Sequence, residues 1–87
     1  MAVTNAASSG TSAVVLAADP AREGIILCNS DANDCYVLLE SGTASASNMS
    51  FIVEPKANAE VPHDYVNGAI SAVWAADGSG YLHITTR

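Results

Sequence analysis

Turn-forming residues interrupt this chain about every ten residues, which leaves only short apolar segments between them. Those segments are rich in β-branched residues, and no stretch of eleven residues carries a capped helical stripe. We therefore predict an all-β fold, a compact β-sandwich or small barrel of six to seven short antiparallel strands. The predicted strands are 13–18, 24–29, 35–40, 50–54, 69–75 and 81–86, with a possible short one at 59–61.

Two of these segments alternate cleanly between faces, because successive side chains of a strand point in opposite directions. In 69–75, Ile70 and Trp74 share one face, and we predict that they anchor the core. In 81–86, Leu82 shares a face with the other apolar residues, whereas His83 points the other way. The Asp77-Gly78-Ser79-Gly80 sequence between the two segments is typical of a hairpin turn.

The first twelve residues are small and polar and show no periodicity. They lack the hydrophobic side chains that would repay the entropy of ordering a chain. We predict a flexible N-terminal arm over residues 1–12 and a single β domain over residues 13–87.

Charge and hydropathy exclude several classes of partner. Nine acidic and three basic residues among 87 give a net charge of −6, which disfavours nucleic acids and anionic membranes. The first residues have no basic and apolar segments of a signal peptide, so we expect the chain to remain in the cytoplasm where it is made. Charged residues are only 14% of the chain, and a surface so poor in charge favours packing between subunits.

The sequence contains little that indicates catalysis. His63 and His83 are the only histidines, and no serine lies in a nucleophile-elbow motif. We expect His63 to lie in a turn and His83 to lie on the surface. We therefore expect neither an enzyme nor a cofactor.

The two cysteines leave two structures open. Cys28 and Cys35 bracket a six-residue loop, and across a hairpin they would lie within reach of a disulfide. Two buried, reduced thiols are the favoured alternative in a cytoplasmic protein. The intervening residues 31–34 are rich in Asp and Asn, which suits a turn better than a calcium site because the EF-hand spacing is absent.

Two further residues have alternative interpretations. Arg22 suits either a carboxylate at a subunit boundary or a weak surface pair with a neighbouring acid. Tyr65, beside Asp64 and Asn67, is the best candidate for stacking on a sugar, although scattered aromatic residues more often fill cores and edges.

Several short motifs, taken in order, resemble the small β-sandwich structural proteins of tailed-bacteriophage virions. They span about residues 20–87 and are Arg22-x-Gly24-Ile25-Ile26-Leu27-x-Asn29, Cys35-Tyr36-Val37, Glu60-Val61-Pro62 and Gly68-Ala69-Ile70-Ser71-Ala72-x-Trp74. Some proteins of this kind are head decoration, or cement, proteins, and related modules occur in tails and fibres. The resemblance carries no active-site residues.

The resemblance implies a structural virion protein that binds the outer surface of a capsid as an oligomer and stabilises it. The partner of such a protein is the major capsid protein, and its location is the capsid surface after assembly in the host cytoplasm. The resemblance also implies a homotrimer. The alternative is a receptor- or carbohydrate-binding module of a phage tail or fibre. The candidate interface residues are Val3, Val14, Val15, Arg22 and Tyr65.

Overall fold

A computed structural model describes residues 2–87. The protein is a sandwich of two antiparallel four-stranded sheets. The first sheet has the order β1-β8-β3-β6, and its strands are β1 (Ala2–Ala7), β8 (Tyr81–Thr86), β3 (Ile25–Asn29) and β6 (Asn58–Glu60). The second has the order β2-β7-β4-β5, with β2 (Ala13–Leu16), β7 (Ile70–Trp74), β4 (Cys35–Leu38) and β5 (Phe51–Val53). One turn of 3₁₀ helix covers His63–Tyr65. The all-β prediction is confirmed, and of the two architectures left open the structure has the sandwich.

All seven predicted strands are present, and β1 is an eighth. The sequence predicted a flexible arm over residues 1–12, but the structure pairs residues 2–7 with β8 in continuous register, from Ala2 opposite Thr86 to Ala7 opposite Tyr81. Residue 1 of that arm lies outside the described residues. The difference arises because β8 offers a row of backbone groups that a neighbouring strand can satisfy, and such bonding requires no hydrophobic side chains.

The core lies between the sheets and is built from the alternating positions of both. Ile70 and Trp74 are buried, with exposed fractions of 0% and 3%, which confirms their predicted place in the core. His83 projects from the opposite face to Leu82. The remaining core residues are mostly branched aliphatic side chains: Ile25, Leu27, Val37, Val53, Val61, Val66 and Ile84.

One buried amide joins the two sheets. Asn29, at the end of β3 in the first sheet, donates through Nδ2 to the Val53 carbonyl of the second sheet at 2.9 Å and to the Asn33 carbonyl at 2.8 Å. Its Oδ1 accepts hydrogen bonds from the indole nitrogen of Trp74 at 3.2 Å and from the backbone of Asp31 at 3.0 Å. Both hydrogens and the carbonyl oxygen of this side chain are therefore satisfied inside the protein.

The loop after Asn29 confirms the predicted turn. The Asp31 carboxylate accepts hydrogen bonds from the backbone of Asn33 at 2.9 Å and of Gly80 at 2.8 Å. These bonds, in that order of importance, lower the pKa of Asp31 to about 2. A Cβ atom on Gly80 would lie 2.4 Å from the Asp31 Cα atom, so only glycine permits this close approach between the loop and the β7–β8 connection. The hairpin predicted at residues 77–80 is wrong, because β7 and β8 lie in different sheets and this turn carries the chain from one sheet to the other.

The two cysteines lie in different sheets, and both are free thiols. Cys28 is half-buried on the outer face of β3, whereas Cys35 faces the core from β4. Burial, reinforced by the charge of Asp31, raises the pKa of Cys35 to about 12. The structure thus has the reduced thiols rather than the disulfide.

Candidate functional site: an open sheet face and an uncharged edge

The outer face of the first sheet is built of three rows of side chains, which we call the open face. Strand register fixes the rows, because every second residue of a strand points to the same side. The rows are Val3–Thr85–Ile26–Glu60, Asn5–His83–Cys28–Asn58 and Ala7–Tyr81–Ser30. Glu60 is the one acidic residue among them. Val3, Ile26 and Tyr81 expose 61%, 47% and 44% of their surface, so the open face carries exposed hydrophobic side chains in its first and third rows and is poor in charge. Its middle row is polar apart from Cys28.

The corresponding face of the second sheet is partly covered by the chain's own β4–β5 connection. Ala44 from that connection packs with Leu38 and Val73 in a small second cluster. Ser71, on β7, donates to the Glu40 carbonyl at 2.9 Å and accepts a hydrogen bond from the Gly42 amide at 3.2 Å. The two faces therefore differ, since among residues 2–87 a covering layer lies on the second sheet alone.

A chain of polar groups crosses the open face at its centre. His83 Nδ1 lies 2.7 Å from Asn5 Oδ1, and its Nε2 lies 2.8 Å from Ser30 Oγ. This serine–histidine–asparagine order is also found at hydrolytic sites. However, the amides of Ser30 and Asp31 donate to Tyr81 O and Asn29 Oδ1, so neither is free to bind an oxyanion. The observed contacts join β1, β8 and the end of β3, and they fix the shape of the open face.

One side of the sandwich is bordered by residues 2–18, which contain no charged residue and which we call the uncharged edge. This segment runs along β8 as β1, passes between the sheets, and continues along β7 as β2. Val3 and Val14 lie on it and expose 61% and 53% of their surface, the largest fractions among the exposed large hydrophobic residues.

The opposite side of the sandwich is built differently. Its edge strands β5 and β6 have only three residues each. Residues 54–56, between them, are Glu-Pro-Lys, and β6 ends at Glu60 with Pro62 close behind. Short strands, charges and prolines are the devices by which proteins prevent strand pairing at an edge. The uncharged edge has none of these residues, although a register irregularity interrupts β2.

The structure divides the five predicted interface residues into four groups. Val3 and Val14 lie exposed on the uncharged edge, as an interface would require. Val15 is half-buried and packs against the core. Arg22 uses its guanidinium inside the protein, where it donates to the carbonyls of Ala17, Val66 and Gly68 at 2.7, 3.0 and 3.3 Å.

Tyr65 lies away from the other candidates. It is 52% exposed and lines a groove of about 470 Å³ with Leu39, Phe51 and Pro62. Its expected companion Asn67 directs Nδ2 to the carbonyls of Asp19, Pro20 and Arg22, so this amide is engaged in holding the β2–β3 connection. The donor group of Asn67 is therefore used inside the protein, and the expected sugar site at Tyr65 stays a prediction.

A second groove, of about 510 Å³, lies at the end of the open face beside β6 and the end of β8. Ile26 and His63 form part of its lining, and Glu60 and Arg87 bring charges of opposite sign. No local pattern in the sequence indicated this groove, because its lining comes from segments far apart in the chain. The groove indents one end of the open face.

Comparison of the chain with protein-family models, with curated proteins and with solved structures found no match. Across residues 2–87, no helix is both long enough and apolar enough to cross a membrane. Within that same range, no three His, Cys, Asp or Glu side chains are grouped in a way that would hold a metal ion.

Proposed function

We propose that this protein is a structural virion protein that decorates and stabilises a bacteriophage capsid by binding the capsid's outer surface through the open face. The observation that carries the proposal is the contrast between the two sheets: the open face exposes hydrophobic side chains on either side of a polar row, is poor in charge, and is not covered by any part of residues 2–87. Large hydrophobic side chains exposed together on one surface mark places where other proteins bind. The sequence resemblance to head decoration proteins specifies the partner, the major capsid protein.

The size of the open face supports action in many copies. Four strands spaced about 4.8 Å apart give a narrow surface, smaller than the roughly 800 Å² per partner of a standard stable interface. A single copy therefore binds weakly, and linked copies gain affinity through their effective concentration. This supports an oligomer on the capsid, and we keep the homotrimer as the proposed unit. Light scattering tests it, since a trimer has a mass of about 27 kDa, three times the 8.9 kDa of the chain.

The net charge of −6 is compatible with this location, because a protein on the outside of a capsid does not contact the packaged DNA. Bridging neighbouring capsid subunits would offset the outward pressure of that DNA. The proposed location is the capsid surface, reached after assembly in the host cytoplasm.

The experiment compares binding of two matched variants to phage heads assembled without this protein. Ile26→Asp places a charge in the open face, whereas Ile52→Asp places one on β5 of the other sheet at a similar exposure, 43% against 47%. We expect Ile26→Asp to reduce occupancy at least about tenfold and Ile52→Asp to leave it unchanged. Equal occupancy for the two variants, or no binding of the parent protein, would refute the proposal.

The alternative function, a receptor- or carbohydrate-binding module of a tail or fibre, is supported by the groove beside Tyr65, where an exposed aromatic ring lies next to Phe51. Stacking on a sugar would use that ring. Binding to a glycan array that is lost in Tyr65→Ala, together with normal behaviour of Ile26→Asp, would favour this function over decoration.

A further inference from the structure

We propose that β1 pairs with β1 of a second copy of this chain, antiparallel and across a two-fold axis at Asn5, so that the two first sheets become one continuous sheet. This contact lies beyond the proposed function and uses backbone groups that docking through the open face does not require. It can form between single chains or between larger units.

The hydrogen-bond pattern shows which groups of β1 are free. Antiparallel strands alternate between residues that bond to the neighbouring strand and residues that point away from it. The Ser8 amide donates to the Gly80 carbonyl at 3.0 Å, which places the even-numbered residues of β1 in the bonded positions. On the other side of β8, Gly24 and Arg87 exchange two bonds of 3.1 Å, which fixes the same alternation independently. The N–H and C=O groups of Val3, Asn5 and Ala7 therefore point outward from the edge.

These free groups are complementary to a second copy of themselves. With the two-fold axis at Asn5, Val3 lies opposite Ala7 of the second copy, and Asn5 lies opposite Asn5. Each of the three facing pairs exchanges two backbone bonds, so the contact makes about six. The facing side chains are an aliphatic residue against a small one and an amide against an amide, and no charge is desolvated.

Three observations favour a second copy over another occupant. The chain carries a net charge of −6, so two copies can approach closely only where both are uncharged, and residues 2–18 are such a region. The opposite edge is closed by prolines, charges and short strands, so head-to-tail stacking has no free strand to continue on. A two-fold contact uses the same edge from both copies and then stops.

The small contact area predicts a weak, concentration-dependent association. Sedimentation of the parent protein from about 10 μM to about 1 mM covers the range in which so small an interface forms. We expect the mass of the species present at low concentration to double. No doubling up to the highest concentration would overturn the proposal.

Charge substitutions at the axis test the register. Asn5→Lys and Asn5→Asp each place like charges face to face, and we expect each to weaken doubling at least about tenfold. An equimolar mixture of the two should restore it, because lysine then faces aspartate. Asn5→Lys removes the oxygen that contacts His83 Nδ1, whereas Asn5→Asp keeps an acceptor there, so a loss of doubling in both variants cannot be assigned to that contact. Asn58→Lys, in the same row at the far edge, is the matched control and should double normally.

Hydrogen exchange on the unmodified protein provides a readout that does not depend on the folding of any variant. As the concentration rises, the amides of Val3, Asn5 and Ala7 should gain protection, while those of Thr4 and Ala6 stay unchanged because they are bonded to β8 already. The proposal is overturned if the mass doubles without added protection at Val3, Asn5 and Ala7. It is also overturned if the mixture of Asn5→Lys and Asn5→Asp associates no better than either variant alone. Self-association would then use another surface. Failure of either test leaves the Ile26 experiment on capsid binding unaffected.

Discussion

Asn29→Ala should destabilise this protein more than any other substitution of a polar residue by alanine. Its side chain makes four hydrogen bonds, two of which connect the first sheet to Val53 and Trp74 of the second. At about 1 kcal/mol net for each bond, the loss is about 4 kcal/mol. A chain of 87 residues has a total unfolding free energy of roughly 4 to 13 kcal/mol, so the substitution removes a large share of it.

The assay is urea unfolding followed by far-UV circular dichroism and by fluorescence of Trp74, the one tryptophan in the chain. Circular dichroism is needed because Asn29 contacts the indole, and its removal alters the native fluorescence. Asn29→Asp keeps the size of the side chain but replaces the two donated hydrogens with an oxygen that faces the Val53 and Asn33 carbonyls. We expect it to destabilise at least as much as alanine does.

Asn58→Ala is the matched control, because the same amide is removed from an exposed position on an edge strand. It should change the unfolding free energy by no more than about 0.5 kcal/mol. A loss of less than about 1 kcal/mol in Asn29→Ala would show that the two sheets do not depend on this amide, and that packing alone holds them together.

Gly80→Ala should lower the free energy of unfolding by about 3 kcal/mol, because its new methyl group would meet the backbone of Asp31. The new methyl group of Gly68→Ala would lie 3.7 Å from the Tyr65 carbonyl oxygen, so this variant should be as stable as the parent in the same urea assay. The pKa of Asp31 is lower in the folded protein, about 2 against the usual 3.8, so the folded state favours its charged form. Its stabilisation is complete above about pH 4 and disappears as the pH falls toward 2, and acid unfolding of Asp31→Asn should lack this component. In the native protein a thiol reagent at pH 8 should label Cys28 alone, because burial keeps Cys35 protonated with a pKa of about 12. In denaturant the reagent should label both cysteines. Equal labelling rates for the two thiols in the native protein would contradict their placement.

The sequence predicted the strands well because their signals are local. Alternation in 69–75 placed Ile70 and Trp74 in the core. The glycine-rich sequence at 77–80 indicated a turn correctly but a hairpin wrongly, because the chain crosses there from the second sheet to the first. The β1 strand could not be predicted this way, since its order depends on backbone bonds to a strand far along the chain. The same limitation applied to Arg22, whose three acceptor carbonyls are brought together only by the fold.

The candidate site was harder to predict than the fold. Val3 and Val14 were identified as candidate interface residues, but Val3 as part of a flexible arm rather than of a formed edge strand. The open face was not identified at all, because its rows combine residues from four strands whose order in the sheet the sequence did not reveal. The Asp and Asn residues of 31–34 indicated a turn correctly, yet nothing in the sequence indicated that Asn29 also reaches the second sheet.

The two proposals have a joint geometric consequence that single-particle imaging of decorated heads can test. A two-fold axis perpendicular to the sheet keeps both open faces on the same side, so two copies paired through β1 present one wider surface to the capsid. The twist of about 20° between neighbouring strands curves that surface, which suits a pair of contact regions better than one flat region.

Two copies paired through β1 have two-fold symmetry, whereas the proposed homotrimer has three-fold symmetry and favours three-fold positions. Density at three-fold positions joined by bridges across β1 would support both contacts together. Isolated three-fold density would remove β1 pairing from the assembled particle, and density at two-fold positions alone would replace the trimer with the pair as the decorating unit.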